Sequence, residues 1–498
     1  MAATDERLRG AAVLGGTEKQ PQLGDFFPLV AGEQAESGEA YAVKSPYDGA
    51  SIANVQRAGP ATIEAAIAGA AAAFETTKRL ASHERAAILE RISDAIGARR
   101  EEFALTIARE AGKPLKTARL EADRAAFTFK VAAEESKRIY GEIVPLDWLP
   151  GTENRVAHVR RIPLGPIAGI TPFNFPLNLV VHKVAPALAA GNPILIRPAT
   201  QTPVSALKLG QIIVEAGWPE RAIAVVPSST ETAAPLVEDE RIKLLTFTGS
   251  PAVGWDLKRR AGRKRVTLEL GGNAPVIVHS DSDVAYAAER VAWGGFVQSG
   301  QTCISVQRVY VQASVYDDFA DELLRRVHAL VVGDPLDEAT DIGPLIDDAA
   351  GERVEEWLEE AVAVGAQVLT GGTREGRMWQ PTVLTGVADE LRISCQEVFA
   401  PIVVLSPYDD PLDAIERATT SRFGLQAGLF TNDQRLIDEA FERLETGGLM
   451  INDVSTFRVD HMPYGGVKDS GAGREGIRYA IEEMTELKVL TFNGTRRL

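Results

Sequence analysis

From Gly165 to about Arg260 the chain switches repeatedly between short apolar runs and longer stretches with apolar residues at helical spacing. Pro166-Ile-Ala-Gly-Ile170, Pro193-Ile-Leu-Ile196, Ala222-Ile-Ala-Val-Val226 and Ile242 to Phe247 read as strands. Pro176 to Ala190, Val204 to Ala216 and Ala252 to Arg260 read as helices, the second of them stopped by Gly217. Such β-α-β-α order with short connections constrains the fold more than any other feature. It implies an α/β protein with a parallel sheet of doubly wound type. A second α/β stretch follows from about Gly271 to Leu444, with strands at Val306 to Val311, Ile402 to Leu405 and Gly428 to Phe430. Its helices are expected at Val315 to Val331 and Arg353 to Val364. Ahead of both stretches, helical patterns dominate from about Ala61 to Arg138.

The length of 498 residues corresponds to about three domains. One core rarely grows beyond about 250–300 residues. With 45% apolar and 24% charged residues the chain is globular rather than disordered. Its net charge of −16 argues against nucleic acid as a partner. It does not exclude an anionic small molecule, since the local charge of a pocket can oppose the net charge. Only Cys303 and Cys395 occur, so a disulfide framework is excluded and both are expected as free thiols in a reducing cytoplasm. The stretch Met1 to Arg7 lacks the apolar segment of a secretory signal. The longest apolar stretch, Leu177 to Ile196, contains His182, Lys183, Asn192 and two prolines, too polar to span a bilayer. A cytoplasmic protein with no membrane partner is therefore expected. None of the six histidines shows metal-ligand spacing, and no catalytic metal is expected. Trp148-Leu-Pro-Gly151 marks a turn, and Val156 to Ile162 reads as a strand. Leu487 to Phe492 also has strand composition and needs a partner, either another subunit or the 156–162 strand.

Three residue types suggest chemistry. Cys303 ends the glycine-rich approach Gly294-Gly-Phe-Val-Gln-Ser-Gly-Gln-Thr-Cys303, just before a strand. A free cysteine is commonly a small buried hydrophobe, but a thiolate in such a loop is a strong nucleophile. Glu269, in Thr267-Leu-Glu-Leu-Gly-Gly-Asn273, ends an apolar strand. It is a solvated strand end or, if partly buried, a general base. Asn174, in Thr171-Pro-Phe-Asn-Phe-Pro176, lies between a strand and a helix, where ligands bind in such sheets. Its amide serves an Asx-turn or an oxyanion. Phe247-Thr-Gly-Ser-Pro-Ala-Val-Gly254 is an ordinary strand–helix turn or a pyrophosphate site at a helix N-terminus.

Taken as a set, Pro172-Phe-Asn-Phe-Pro176, Phe247-Thr-Gly-Ser250, Leu268-Glu-Leu-Gly-Gly-Asn273, Gly300-Gln-Thr-Cys303 and Gln396-Glu-Val-Phe399 resemble the aldehyde dehydrogenase superfamily in order and spacing, from about Pro46 to Phe492. The resemblance implies a Rossmann-like parallel-sheet cofactor domain, an α/β catalytic domain and a small β bridging and oligomerisation element. The corresponding bounds are 1–147 (helical) and 166–269 for the cofactor domain, 148–165 for a bridging hairpin, 270–478 for the catalytic domain and 479–498 for an oligomerisation strand. It implies that Cys303 attacks the aldehyde, that Asn174 and the Cys303 amide hold the oxyanion, and that Glu269 activates water against the thioester. By the same resemblance, Thr171, Phe173, Gly249, Ser250, Glu397 and Phe399 contact the cofactor. On the adenosine side the family pattern Lys-Pro-x-Glu is replaced by Arg197-Pro-Ala-Thr200. Loss of the carboxylate, with Arg197 and Thr200 as donors, suits a 2′-phosphate. NADP is the expected cofactor, with NAD as the alternative.

Asn452 to Pro463 and Phe423 to Gly428 resemble the lactaldehyde and non-phosphorylating glyceraldehyde-3-phosphate dehydrogenase branch. That branch places arginines against anionic substrates, and Arg124 and Arg458 fall at matching places, though each also reads as an ordinary surface charge. Phe175 and Thr302 are further substrate-side candidates, and His461 is either an entrance residue or a loop residue. Thr302 stands where phosphate users carry arginine. A small hydroxylated aldehyde such as lactaldehyde or glyceraldehyde is therefore expected. Alternatives are an anionic aldehyde, namely glyceraldehyde-3-phosphate or a short semialdehyde, a coenzyme A-acylating semialdehyde dehydrogenase, and a non-enzymatic binder that kept the fold. Family dimers and tetramers imply a homo-oligomer. Cys395 is read as structural.

Overall fold

Apolar runs bounded by turns become buried strands when helices cover both faces of a sheet. In a computed structural model describing residues 22–494, this governs two sheets. The first has a parallel centre of Arg265–Glu269, Leu244–Thr248, Ile167–Ile170, Ile194–Arg197 and Ile223–Val225, in that spatial order. From Ile167–Ile170 the chain steps outward through two strands, then returns to pair Leu244–Thr248 on the other side. That reversal is the switch point at which open α/β sheets bind ligands, beyond the carboxyl ends of the strands. The loops 171–176 and 249–250 leave the two strands on either side of it.

The second sheet is parallel except at one edge. It runs Gln367–Thr370, Thr382–Thr385, Ile402–Tyr408, Val306–Gln312, Ala274–Val278, Gln426–Phe430 and Gly448–Ile451. The third sheet is a small antiparallel one. Thr485–Asn493 pairs with Arg155–Pro163, which pairs with Glu142–Pro145. Of the two partners expected for the C-terminal strand, the strand within the chain is the one observed.

Several expected boundaries are corrected. The hairpin begins at Glu142, so a break at 148 would cut off its first strand. Gly471–Ala472 pairs with Leu268 and Glu269, which returns the chain to the first sheet before 478. The first segment is not wholly helical, because Leu29–Val30 joins the first sheet beside Ile223–Val225 and Ala40–Lys44 pairs with Ser51–Gln56. The helix expected over 315–331 is Tyr316–Val327, and the next is Asp348–Ala363, begun by Asp347 accepting from the Ala350 amide. The reading of Met1 to Arg7 lies outside the described residues.

Four helices, Pro60–Thr77, Ser82–Ala98, Arg100–Ala111 and Leu115–Ser136, precede the hairpin. Two of them supply caps to distant helices. Val204–Glu215 and Asn178–Ala190 have no side-chain cap of their own. Glu110 accepts from the Val204 and Ser205 amides at 2.8 and 3.0 Å. Glu121 accepts from the Leu177 and Asn178 amides, both at 3.0 Å. Each buried carboxylate thus satisfies helix N–H groups that would otherwise be orphaned. Burial pushes the Glu110 carboxyl up to about 7. Glu121 is also ion-paired with buried Lys113.

Candidate active site

A cavity of about 830 Å³ opens where the switch-point loops of the first sheet meet the start of the second. Cys303, Glu269 and Asn174 all line it, as do Phe173, Phe175, Gly249, Ser250, Thr302, Glu397, Phe399, Arg124 and Arg458.

The approach to Cys303 is held in a costly conformation. Gln298, Ser299 and Gly300 have φ of 54°, 58° and 67°, three consecutive left-handed residues. For Gln298 and Ser299 this costs about 1 kcal/mol or more each. The Ser299 hydroxyl donates to the Gly343 carbonyl at 2.8 Å, and the Gln298 amide donates to the Asn174 carbonyl. Asn174 Nδ2 donates to the Gln301 carbonyl at 2.9 Å. The loops carrying Asn174 and Cys303 therefore hold one another. The Asn174 amide has a second N–H left for a ligand.

Cys303 is half-buried, and its Sγ lies 3.0 Å from the Tyr464 hydroxyl. Burial pushes its thiol up to about 12. The Tyr464 hydrogen bond and the charge of Arg458 oppose that rise, while Glu397 and Glu269 add to it. Glu269 is 3% exposed, and neither carboxylate oxygen has a hydrogen-bond partner. Burial and the neighbouring Glu475 hold its carboxyl well above the usual range. A carboxylate so placed takes up a proton readily.

Beyond Glu269 lies a second, ionic layer. Lys183 Nζ donates to Thr248 at 2.7 Å, Thr246 at 3.1 Å and Glu475 at 3.3 Å. Arg458 donates to Glu475 at 2.9 Å and lies 3.6 Å from the centroid of the Tyr464 ring. Burial opposes ionisation of Glu475, but Lys183 and Arg458 outweigh it and hold the carboxyl low. Arg124 forks onto Asp460 at 2.6 and 3.1 Å, and His182 Nε2 meets the same carboxylate at 2.9 Å. Burial, with the charge of Arg458, keeps His182 neutral. Both arginines named from the sequence therefore line the cavity but already face a carboxylate.

At the other end, Ser250 caps the helix Pro251–Arg260 without a side-chain capping bond, so the first amides are open to an anion. A Cβ on Gly249 would stand 2.5 Å from the Phe247 ring, and one on Gly254 would stand 2.4 Å from Leu270. Glycine at these positions lets backbone and helix approach closely, and the cradle suits a diphosphate. Glu397 accepts from the Gly272 amide at 3.0 Å, and burial pushes its carboxyl up to about 7. Phe399, with φ of 55°, packs edge-on against Phe173 at 5.9 Å.

Five residues singled out in the sequence lie outside the cavity lining. Thr171 is buried and donates its amide to the Arg197 carbonyl at 3.1 Å. Arg197 ends its strand and turns onto the Ser228 carbonyl at 3.1 and 3.2 Å, and Thr200 is half-buried three residues on. His461 is exposed and meets Phe127 edge-on at 6.3 Å. Cys395 is half-buried, its Sγ 3.3 Å from the Glu390 carbonyl. The sequence reading missed Tyr464, Asp460, Glu475 and Lys183 as site residues. Each stands in an apolar or glycine-rich context that carries no signal of its partner. Among the described residues no three His, Cys, Asp or Glu side chains form a group that could hold a metal, and no helix is long and apolar enough to cross a membrane.

The fold and the cavity at its switch point are those of an oxidoreductase. The chain belongs to the aldehyde dehydrogenase family, which it matches over residues 33–490. It is 45% identical over 473 residues to 3-sulfolactaldehyde dehydrogenase of Priestia aryabhattai, covering 95% of this chain and 99% of that one. Among solved structures it is similar to aldehyde dehydrogenase 21 of Physcomitrella patens in complex with the reaction product succinate. That match has 42% identity and a TM-score of 0.93, over 96% of this chain and 100% of the other. It is also similar to glyceraldehyde-3-phosphate dehydrogenase GapN of Methanocaldococcus jannaschii complexed with NADP. Here identity is 37% and the TM-score 0.88, over 93% and 100% of the two chains.

Proposed function

We propose that the protein oxidises a small hydroxylated aldehyde, of the lactaldehyde or glyceraldehyde kind, to its carboxylic acid with NADP, and less well with NAD. The observation that carries this reading is the convergence of Cys303, Asn174 and Glu269 on one cavity that ends at the open helix N-terminus of Ser250. Gly249 and Ser250 would hold the diphosphate, Glu397 and Phe399 the nicotinamide riboside, and Thr171, Phe173, Arg197 and Thr200 the remainder. The bound dinucleotide supplies the two-electron acceptor. Cys303 Sγ forms a bond to the carbonyl carbon, and the charge that passes to oxygen is met by the free Asn174 N–H and the Cys303 amide. Once the carbon is at the thioester level, Glu269 takes a proton from water and the resulting hydroxide adds to the acyl carbon. The carbon–sulfur bond then breaks, which frees the acid and returns the thiolate. Hydrolysis by Glu269 favours an acid product over transfer to coenzyme A.

The pairing of Arg124 with Asp460 and of Arg458 with Glu475 favours a neutral substrate end, next to Thr302 and Phe175. One observation supports a second reading, an aldehyde with an anionic tail: Arg458 Nε is buried without a partner. The names of the Priestia and Physcomitrella relatives fit that reading. Turnover of lactaldehyde, glyceraldehyde, its 3-phosphate and succinic semialdehyde, followed by reduced-cofactor absorbance with and without coenzyme A, separates these readings. Wild type as inert as Cys303→Ala across the panel overturns the enzyme assignment for these substrates. A strong NAD preference in kcat/KM overturns the cofactor assignment.

The edge strand Thr485–Asn493 exposes Leu487, Val489, Leu490 and Phe492. This supports a homo-oligomer, a dimer or tetramer, built on the third sheet, with light scattering as the test. Free thiols at both cysteines support a cytoplasmic location.

A further inference from the structure

One contact of the nucleophile has no part in the mechanism above. Tyr464 is 3% exposed, and its hydroxyl lies 3.0 Å from Cys303 Sγ. The ring is fixed on its other face by Arg458, whose guanidinium carbon sits 3.6 Å from the centroid. Arg458 is in turn fixed by Glu475 at 2.9 Å. The Tyr464 backbone pairs with Glu475 in both directions, at 2.7 and 3.1 Å. The hydroxyl is thus aimed at the sulfur by a ring packed under Arg458, which a buried ion pair with Glu475 holds in place.

We propose that Tyr464 is a catalytic residue of this enzyme: its hydroxyl donates a hydrogen bond to the Cys303 thiolate and makes that thiolate available inside an otherwise unfavourable cavity, with Arg458 orienting and polarising the phenol. The inference rests on Cys303 as the nucleophile.

The chemistry follows from the surroundings of the sulfur. A thiolate in a largely apolar cavity loses its hydration, and the carboxylates of Glu397 and Glu269 face it as well. Two groups act the other way, Tyr464 and Arg458. Arg458 is committed to Glu475, so the phenol is the group that touches sulfur directly. Burial, with the sulfur beside it, keeps the Tyr464 phenol protonated well above its usual range, so it remains a donor wherever the enzyme is folded. A cation over an aromatic face withdraws electron density from the ring and strengthens its O–H as a donor. When Cys303 ionises, its proton passes to solvent water at the cavity, and the phenol O–H, keeping its own proton, turns to the thiolate. When the sulfur bonds to the aldehyde carbon it becomes a weak acceptor, and the bond relaxes. The donor therefore favours the free thiolate that starts the reaction, and it costs little to release.

The test is the pH dependence of Cys303 alkylation by iodoacetamide, in Tyr464→Phe against the parent, both carrying Cys395→Ala. Phenylalanine keeps the ring under Arg458 and removes only the hydroxyl. A hydrogen bond to a charged group favours the ionised form about tenfold or more. The alkylation midpoint should therefore rise by at least about one pH unit, and the rate near neutral pH should fall about tenfold or more with the high-pH limit unchanged. The acid limb of kcat/KM for the aldehyde should move by a similar amount. Superimposable profiles overturn the proposal. So does a change in rate that is uniform with pH, because then Tyr464 only packs. The alkylation readout needs no turnover, so it stands apart from any failure of the substrate assignment.

Discussion

Glu269 and Glu475 are 3% and 2% exposed and close enough to act on one another, and burial treats them alike. Their surroundings do not. Glu269 has no hydrogen-bond partner and is held above the ordinary carboxylate range. Glu475 meets Lys183 and Arg458 and is held below it. Two identical side chains thus become a proton acceptor and a fixed anion, and the second helps to raise the first. The contrast separates the chemical face of the cavity from the ionic layer behind it.

The largest expected effect breaks the chemical face. Glu269→Gln should lower steady-state turnover by about two to four orders of magnitude. It should spare a rapid burst of one reduced cofactor per active site, because in the proposed mechanism acylation of Cys303 does not use this base. Stopped-flow absorbance checks both parts, and loss of the burst as well would assign Glu269 an earlier role. Next comes the ionic layer. Glu475→Gln leaves Lys183 and Arg458 buried without their anion, and it should lower unfolding free energy by about 3 kcal/mol or more in denaturant titrations. The same variant removes a charge that raises Glu269, so the acid limb of turnover should move to lower pH.

The pH dependence of stability sharpens the contrast. Glu475, held low, contributes stability that is present above the unfolded carboxylate value of about 4.5 and lost as pH falls towards about 2. Glu269, held high, contributes in the opposite sense, present below that value and lost as pH rises through its folded one. Subtracting the Glu269→Gln from the wild-type Tm at each pH, and likewise for Glu475→Gln, should therefore give slopes of opposite sign. The smallest effect concerns Arg124, whose side chain is 32% exposed. Arg124→Gln should raise KM for an anionic aldehyde about threefold and leave a neutral one unchanged, in keeping with the modest worth of a part-exposed pair.

The parallel strands were legible because apolar runs such as Val306 to Val311 are fully buried, and the turns after Ile167–Ile170 and Leu244–Thr248 were legible as candidate ligand loops from the alternation of strand and helix. The short strand Glu142–Pro145 was not, since it is mostly exposed, carries a proline and offers no alternation to read. The candidate nucleophile, base and amide stood out by residue type and flanking glycines. Their supports did not. Tyr464 lies 161 positions from the sulfur it touches, and Asp460 lies 336 from Arg124. Local pattern holds no information about such pairs, and an arginine that seems free in sequence proves to be spoken for in space.

The cap that Glu121 places on Leu177 and Asn178 has a consequence for anyone who wishes to move this site elsewhere. The segment bearing Asn174 leads into a helix whose first turn is completed by a carboxylate more than fifty positions earlier. That carboxylate also bonds to Lys113, whose ammonium lies 3.8 Å from the Phe175 ring centroid. The loop is therefore not a portable cassette. Transplanted with its own strand and helix but without the helix Leu115–Ser136, it would carry the right residues on an unfinished hinge, and directed evolution of the pocket has to treat residues 113–121 as part of the loop they never adjoin in sequence.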